Sequence, residues 1–469
     1  MSRKLQPPSL LSLAIESGIR NISRIPDLSS LPDHVVFDLF QGTVREGKLN
    51  DKILKVFIAT ENKEVLTYIQ RLGIKRVVLP VLPTRCSGKF DNSEGLLAGG
   101  FCNSCFAFGL VFTLCLDKMS DSAVPDNEVD VVIAVLGADI SSFLEEWRAF
   151  FSRFHLIIVK DPDLKDDLKI PNGFDHVVYT KSDMDRVLGS NPTKIKFSGY
   201  LCRYFGYLMS RKRYIISIDD DCFPARDDKG LLVDAVAQHV TNLTTPATPF
   251  FFNTLYDPYR EGADFVRGYP FSLRTGVECA LSCGLWLNLA DYDTPTQAVK
   301  PNLKNTRYVD AVMTVPLRTM MPMSGINVAF DRALLGPALF PGLQLAGEGK
   351  LRWETMEDIW CGMCAKVVCD HLGLGVKTGL PYVWRKGGGN DAIKSLKKDW
   401  EGVRLMEEVV PFFQSVRLSK SAVTSEDCVI EIAGIVKQQL GPSNPIFARA
   451  ADALLEWVQL WRTAGSVSS

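Results

Sequence analysis

Three consecutive carboxylates close an apolar run, Arg213-Tyr214-Ile215-Ile216-Ser217-Ile218-Asp219-Asp220-Asp221. A β-branched stretch that stops in acids reads as an interior strand delivering negative charge to the rim of a sheet. Open α/β sheets bind ligands at that rim, outside the carboxyl ends of their strands. Alternation along a strand aims Asp219 and Asp221 one way and Asp220 the other. Two carboxylates on one side suit a hard divalent cation, Mn2+ or Mg2+, which can bridge a diphosphate. The alternative is a solvated acidic turn. The apolar flanks Tyr214–Ile218 and Cys222-Phe223-Pro224 favour a cleft edge. A further acid, Asp161, follows the run Phe154-His155-Leu156-Ile157-Ile158-Val159. Nucleotide-binding α/β folds place a carboxylate there against a base or ribose; an ordinary strand-end turn residue is the other reading.

The elements that must position these acids are legible as runs. Val129–Leu136 is a buried-strand pattern, and Ser141–Phe151 carries helical spacing. Phe154–Val159 is a second strand, Val177–Tyr179 a short third, and Tyr200–Ser210 a helix leading into the acidic strand. Strand–helix alternation predicts a mainly parallel sheet with helices on both faces. Right-handed crossovers put the strand ends on one rim. From Asp221 to about residue 350 the chain is rich in Gly, Pro and aromatics, which predicts loops and short strands forming an acceptor wall. Ser425–Gln439 and Pro445–Ala464 read as terminal helices, the first opened by the acids of Ser425-Glu426-Asp427. Before all this, Ser9–Ile19, Pro32–Glu46, Lys48–Thr60 and Lys63–Leu72 have helical spacing. The predicted organisation is a helical extension at 1–85, a linker at 86–126, an α/β domain at 127–419 and a helical tail at 420–469.

Composition narrows the function. With 469 residues, 46% hydrophobic and a net charge of -1, the chain supports two or three packed units. That balance gives no footprint for nucleic acid or for an anionic membrane surface. The most apolar stretch, Phe106–Leu116, is too short to span a bilayer. The 12 cysteines lack the spacing of a secreted disulfide scaffold. Cys102/Cys105 and Cys361/Cys364 are each half of a zinc site without a matching histidine pair, so reduced, packed cysteines are expected.

Longer blocks carry a family resemblance. Thr248-Pro249-Phe250-Phe251-Phe252-Asn253-Thr254-Leu255-Tyr256-Asp257-Pro258-Tyr259-Arg260-Glu261-Gly262-Ala263-Asp264-Phe265-Val266-Arg267-Gly268-Tyr269-Pro270 resembles the plant reversibly glycosylated polypeptides, which include the UDP-arabinopyranose mutases. So do Gly284-Leu285-Trp286-Leu287-Asn288, the stretch Asn305–Thr314, and Gly373–Tyr382. The resemblance covers about Asn127 to Phe413, and Met119 stands where such proteins begin, so residues 1–118 read as an extension. It implies a glycosyltransferase-A-like nucleotide-sugar fold and interconversion of UDP-L-arabinopyranose and UDP-L-arabinofuranose for cell-wall polysaccharides. It also implies a divalent cation, reversible glycosylation on an arginine, partners of the same family, and peripheral association with the cytosolic face of the Golgi.

By that resemblance Asp219, Asp220 and Asp221 are the metal and diphosphate motif. Arg260 matches the sugar-accepting arginine, Arg267 a second arginine needed for activity, and Asp358 a carboxylate facing the reacting sugar. Guanidiniums of Arg260, Arg267 or Arg307 suit phosphate oxygens in fork geometry. A nucleophilic arginine needs a carboxylate to draw off a proton, since its pKa exceeds about 12; Asp257, Glu261 and Asp264 are the neighbours in sequence. The alternative is that Arg260 binds phosphate. Phe250, Phe251, Phe252, Tyr256, Tyr259, Phe265, Tyr269 and Trp286 suit cleft walls that exclude water, though at least half of them are expected to be plain core. Three departures stand out: Glu357 for an aspartate, Cys283 where the family has histidine, and Arg385 where a motif ends Trp-His. They mark a divergent branch, for which a non-catalytic UDP-sugar-binding subunit is the second reading. A faint F-box resemblance at Ser29–Phe40 gives a third, a ubiquitin-ligase adaptor, against a plain helical module.

Overall fold

The computed structural model describes residues 10–22, 25, 27–29, 31–45, 48–49, 51–60, 62–71, 124–189, 194–260, 262–290, 292–300, 303–341, 357–386 and 392–466. The chain divides into two compact units, Met1–Gly99 and Gly100–Ser469. In the first, helices run over Leu10–Arg20, Asp33–Arg45, Asp51–Ala59 and Lys63–Arg71. Their apolar stripes meet around Leu39, Phe40, Phe57 and Val65. Asn62 organises one junction. Its Oδ1 accepts from the Val65 N–H at 3.0 Å, a helix cap, while its amide donates to Asp33 at 3.1 Å. The Cys102/Cys105 pair and most of the expected linker lie outside the described residues.

The second unit is built on one sheet. Its strands are β1 (Val129–Val135), β2 (His155–Lys160), β3 (Asp175–Tyr179), β4 (Tyr214–Ile218), β5 (Cys222–Pro224), β6 (Cys279–Leu289), β7 (Lys304–Asn305), β8 (Val312–Thr314), β9 (Asn327–Asp331) and β10 (Gly375–Arg385). The order is β3-β2-β1-β4-β9-β6-β10-β5, with β7 on β6 and β8 on β10. β1 pairs in parallel with β2 and β4, and β2 with β3. β9 runs antiparallel to both β4 and β6, and β10 is parallel to β6. The carboxyl ends of β1, β2, β3, β4, β6 and β10 therefore share one rim. This is the mainly parallel α/β architecture expected from the sequence, with helices at both ends of the chain.

Two helical layers cover the sheet because its central strands are apolar on both faces. Helix Ser141–Phe151 buries Phe143, Leu144, Trp147 and Phe151 on one face. Helix Cys202–Met209 lies on the other, so closely that a Cβ on Gly206 would fall 2.5 Å from Val132. Helix Glu357–Leu372 shares that second layer, and so do the helices Ala392–Ser415, Ser425–Gln439 and Pro445–Ser466. Trp457 donates its indole N–H to the Pro337 carbonyl at 3.1 Å, and Ser425 its hydroxyl to Leu335 at 3.1 Å. The helices Ser425–Gln439 and Pro445–Ser466 thus pack against the sheet. Thr424 and Asp427 cap the helix that the acids of Ser425-Glu426-Asp427 announced.

Three expectations are corrected. The acidic residues are not strand: β4 stops at Ile218, and the Cys222 N–H closes a turn on the Asp219 carbonyl at 2.9 Å. Strand alternation therefore does not orient the three acids. The half after Asp221 is not only loops and short strands, since β6 and β10 each span 11 residues. Gly284 in β6, and Gly379 and Pro381 beside an irregularity in β10, disguised them as turns. Finally, Phe250, Phe251, Phe252 and Tyr256 are exposed and only Tyr269 of the aromatic set is fully buried, so fewer than half are core. Every described cysteine is free and buried, as expected. No described helix is long and apolar enough to cross a membrane.

Candidate active site at the strand rim

The acidic turn is held from both sides by backbone. Asp219 donates its N–H to the Ile326 carbonyl just before β9, at 3.2 Å. On the other side the Lys386 N–H donates to the Asp221 carbonyl at 2.8 Å. β5, which follows, pairs with the end of β10, and the Trp147 indole donates to the Cys222 carbonyl at 2.8 Å. The turn is thus fixed before any ligand arrives.

Each of its carboxylates has a different environment. Asp219 is 2% exposed, and its Oδ1 lies 3.0 Å from the equally buried Arg203 guanidinium. Burial pushes the Asp219 carboxyl up to about 7, against the pull of Arg203. Arg203 reaches it through a gap left by Gly325, where a Cβ would fall 2.0 Å from the guanidinium. Asp220 accepts from the Leu136 N–H at 3.0 Å, at the end of β1, and from the Tyr200 hydroxyl at 3.1 Å. Burial raises its pKa, opposed by those donors. Burial, and then the three acids, hold Tyr200 far above the usual phenol range, so it stays a donor. The side chain of Asp221 is 26% exposed, and its Oδ2 lies 3.3 Å from Nε of Arg385.

The rim gathers more of the expected residues. Asp161, one residue past β2, accepts at 3.2 Å from the N–H of Gly199 and also of Asp163. The Gly199–Tyr200 segment therefore touches Asp161 with one residue and Asp220 with the next. Asp358, in the first turn of helix Glu357–Leu372, accepts from the Gly325 N–H at 3.1 Å and acts electrostatically on Arg203. Asp161, Asp219, Asp220, Asp221 and Asp358 thus surround one strand rim. Arg203 and Tyr200 were missed. A single arginine inside the apolar run Tyr200–Met209 was the signal, because such a charge needs a buried partner.

The arginines that suit phosphate oxygens have surroundings of their own. Arg260 pairs through its guanidinium with the Asp310 carboxylate and donates to the Asp310 carbonyl at 3.0 Å. Arg267 and Arg307 are exposed. Of the carboxylates proposed to activate Arg260, Asp257 is committed to Lys377 at 3.0 Å, a buried pair in which Lys377 also donates to Thr245 at 2.6 Å. Asp264 is exposed, and Glu261 lies outside the described residues. Asp310 is the acid facing Arg260, and sequence distance hid it. Cys283 lies in the core, its thiol pushed up by burial.

The residues present do not fit a divalent-cation site. Water and phosphate oxygens complete the shell of a hard cation, but one or two carboxylates must be free to face it. Here Asp219 faces Arg203, Asp220 faces two donors, and Asp221 faces a guanidinium. Among the described residues no group of three or more His, Cys, Asp or Glu is placed to hold a metal.

A family model described as reversibly glycosylated polypeptide matches residues 124–466. The chain belongs to that family. It is 65% identical over 348 residues to "Probable UDP-arabinopyranose mutase 5" of Arabidopsis thaliana, covering 74% of this chain and 99% of the relative. It is also 65% identical over 347 residues to "Probable inactive UDP-arabinopyranose mutase 2" of Oryza sativa subsp. japonica, covering 74% and 99%. Against "UDP-arabinopyranose mutase 1" of Arabidopsis thaliana the identity is 52% over 335 residues, covering 71% of this chain and 92% of the relative. All three alignments account for at most 74% of this chain, and the family match leaves out the first 123 residues.

Proposed function

We propose that the second unit binds a UDP-sugar across the strand rim and interconverts the pyranose and furanose forms of UDP-L-arabinose. The observation that carries this is the gathering of Asp161, the acidic turn and Asp358 at one rim, in a chain 52% identical to a relative named for that activity. Asp161 and the Gly199 segment suit the nucleoside end. The acidic turn orients the diphosphate end, and Asp358 faces the sugar.

In this reading the bond between the anomeric carbon and the diphosphate breaks, its electron pair leaving with the diphosphate. Positive groups that stabilise that developing charge lower the barrier. The anomeric carbon bonds to the Arg260 nitrogen, whose proton is drawn off. The nitrogen's electron pair then expels the ring oxygen, which takes up a proton. The other hydroxyl closes on the same carbon and gives up a proton, and the same diphosphate displaces the nitrogen, which is reprotonated, so no atom is gained or lost. Arg260 is the candidate sugar acceptor, Asp310 taking its proton; Arg267 and Arg307 are candidate phosphate ligands on the exposed wall. Reversible self-glycosylation, assembly with other family members and attachment to the cytosolic face of the Golgi belong to the same reading.

Arg385 on Asp221 favours a second reading, a UDP-sugar-binding subunit that does not turn over alone, in keeping with the name of the rice relative. Incubating the full chain with UDP-L-arabinofuranose and separating products by chromatography tests both. UDP-arabinopyranose supports the mutase. Binding without conversion supports the subunit. Neither binding nor conversion overturns both.

A further inference from the structure

We infer that this chain seats a nucleoside diphosphate without a divalent cation, Arg385 holding the position at the acidic turn where a metal is expected. The inference rests on the nucleotide-sugar reading above. Its basis is the disagreement between an acidic motif suited to a metal and a donor set that is already taken.

The placement of Arg385 is built. It is the last residue of β10, in register with Cys222 on β5 and with Asn288 on β6. Its carbonyl accepts from the Asn288 amide at 2.8 Å, and the next residue's N–H is bonded to Asp221. The side chain is 18% exposed and aimed at Asp221, itself 26% exposed. Its charge is permanent, since a guanidinium does not deprotonate in proteins. Lys386 adds a second cation nearby, its ammonium 5.3 Å from the centre of the Phe223 ring. The acids deeper in the rim are balanced without a metal: Asp219 by Arg203, and Asp220 by the Leu136 N–H and Tyr200.

A divalent ion on Asp221 would share that carboxylate with a guanidinium 3.3 Å away, placing two positive groups on one acid. A diphosphate has the opposite preference. It meets Arg385 and Lys386 at the mouth of the turn, with Asp221 orienting the guanidinium. A lone pair that histidine would offer a metal is replaced here by N–H donors, which suit phosphate oxygens.

Calorimetry of UDP with the full chain, in EDTA and then in Mn2+, tests this. The expected result is binding in EDTA with a Kd within about threefold of that in Mn2+, a difference under 1 kcal/mol by the usual conversion. Arg385→Gln should weaken UDP binding in EDTA by about 10- to 100-fold, the worth of a hydrogen bond to a charged group. Arg385→His should make binding depend on Mn2+, with the bound ion visible by electron paramagnetic resonance. Circular dichroism checks that each variant is folded; if either is not, the wild-type comparison still decides. UDP binding that requires Mn2+ overturns the inference and leaves the nucleotide-sugar reading standing. No UDP binding under either condition overturns both.

Discussion

The strand rim and the arginine wall are built by different means. At the rim, backbone does the positioning: the N–H groups of Leu136, Gly199, Gly325 and Lys386 fix Asp220, Asp161, Asp358 and Asp221. These donors sit at strand ends or on short segments between them, so the site is rigid before a ligand binds. On the wall, side chains distant in sequence hold each other: Lys377 with Asp257, and Arg260 with Asp310. One of these pairs is buried and one open to solvent. The rim is therefore suited to recognition, and the wall to a step in which a group must be engaged and released.

The largest effect expected from breaking this contrast lies in the buried anchor of the wall. Lys377 is fully buried, and removing it strands the Asp257 carboxylate. Lys377→Met should cost about 3–5 kcal/mol in urea unfolding, the penalty for an uncompensated buried charge. The double variant Lys377→Met/Asp257→Leu should recover much of that. A single variant as stable as wild type would show that the wall does not depend on this pair.

A second buried anchor ties β6 and β9 to the helix Ala235–Thr244, and it titrates. His239 meets Ser282 and Asn327, each at 2.8 Å. Asn327 spends its amide on the Leu285 and Pro381 carbonyls, so its Oδ1 accepts from His239 Nε2–H and the ring is neutral. Burial pushes the His239 pKa down to about 4 from 6.5. A depressed histidine contributes stability that is fully present above about 6.5 and is lost as pH falls towards about 4, because the unfolded chain protonates first. The loss over that window is about 3 kcal/mol. Stability measured from pH 7 to 4 should show this slope, and His239→Gln should flatten it while lowering the plateau. An unchanged slope in the variant would assign the acid sensitivity to other groups.

The two regions also differ in how far the sequence revealed them. Apolar runs located β1, β2 and β4, and the acids that follow the last two were placed on one rim, because parallel topology forces strand ends together. What the acids face was not legible. Arg203 comes from a helix behind the sheet, and Arg385 reaches Asp221 only because β5 folds back on β10. Alternation reads the strand through Asp221, whereas a tight turn ends β4 three residues earlier, at Ile218. On the wall, motif resemblance singled out Arg260, but local sequence offered Asp257, Glu261 and Asp264 as its partners. The pairing that forms, with Asp310, spans 50 residues. Pairings of that range are set by tertiary packing and leave no periodic trace.

That last pair gives the smallest expected effect on stability. The side chains of Arg260 and Asp310 are 27% and 57% exposed, so solvent screens them. Asp310→Asn should change unfolding free energy by less than about 1 kcal/mol. Its effect on chemistry separates the two roles proposed for Arg260. A guanidinium attacking a sugar must lose a proton, and Asp310 is the described carboxylate in contact with it. If Asp310 takes that proton, transfer of labelled glucose from UDP-glucose to the chain should fall about 100-fold in Asp310→Asn, the scale of a lost general base. UDP affinity should be unchanged, because the rim is untouched. Arg260→Lys keeps the charge and serves as the companion variant. If Arg260 instead clamps phosphate, Arg260→Lys weakens UDP binding and Asp310→Asn leaves labelling where it was. Full labelling in Asp310→Asn with intact UDP affinity would reduce Asp310 to a surface ion pair and return the search for a base to the wall's other acids.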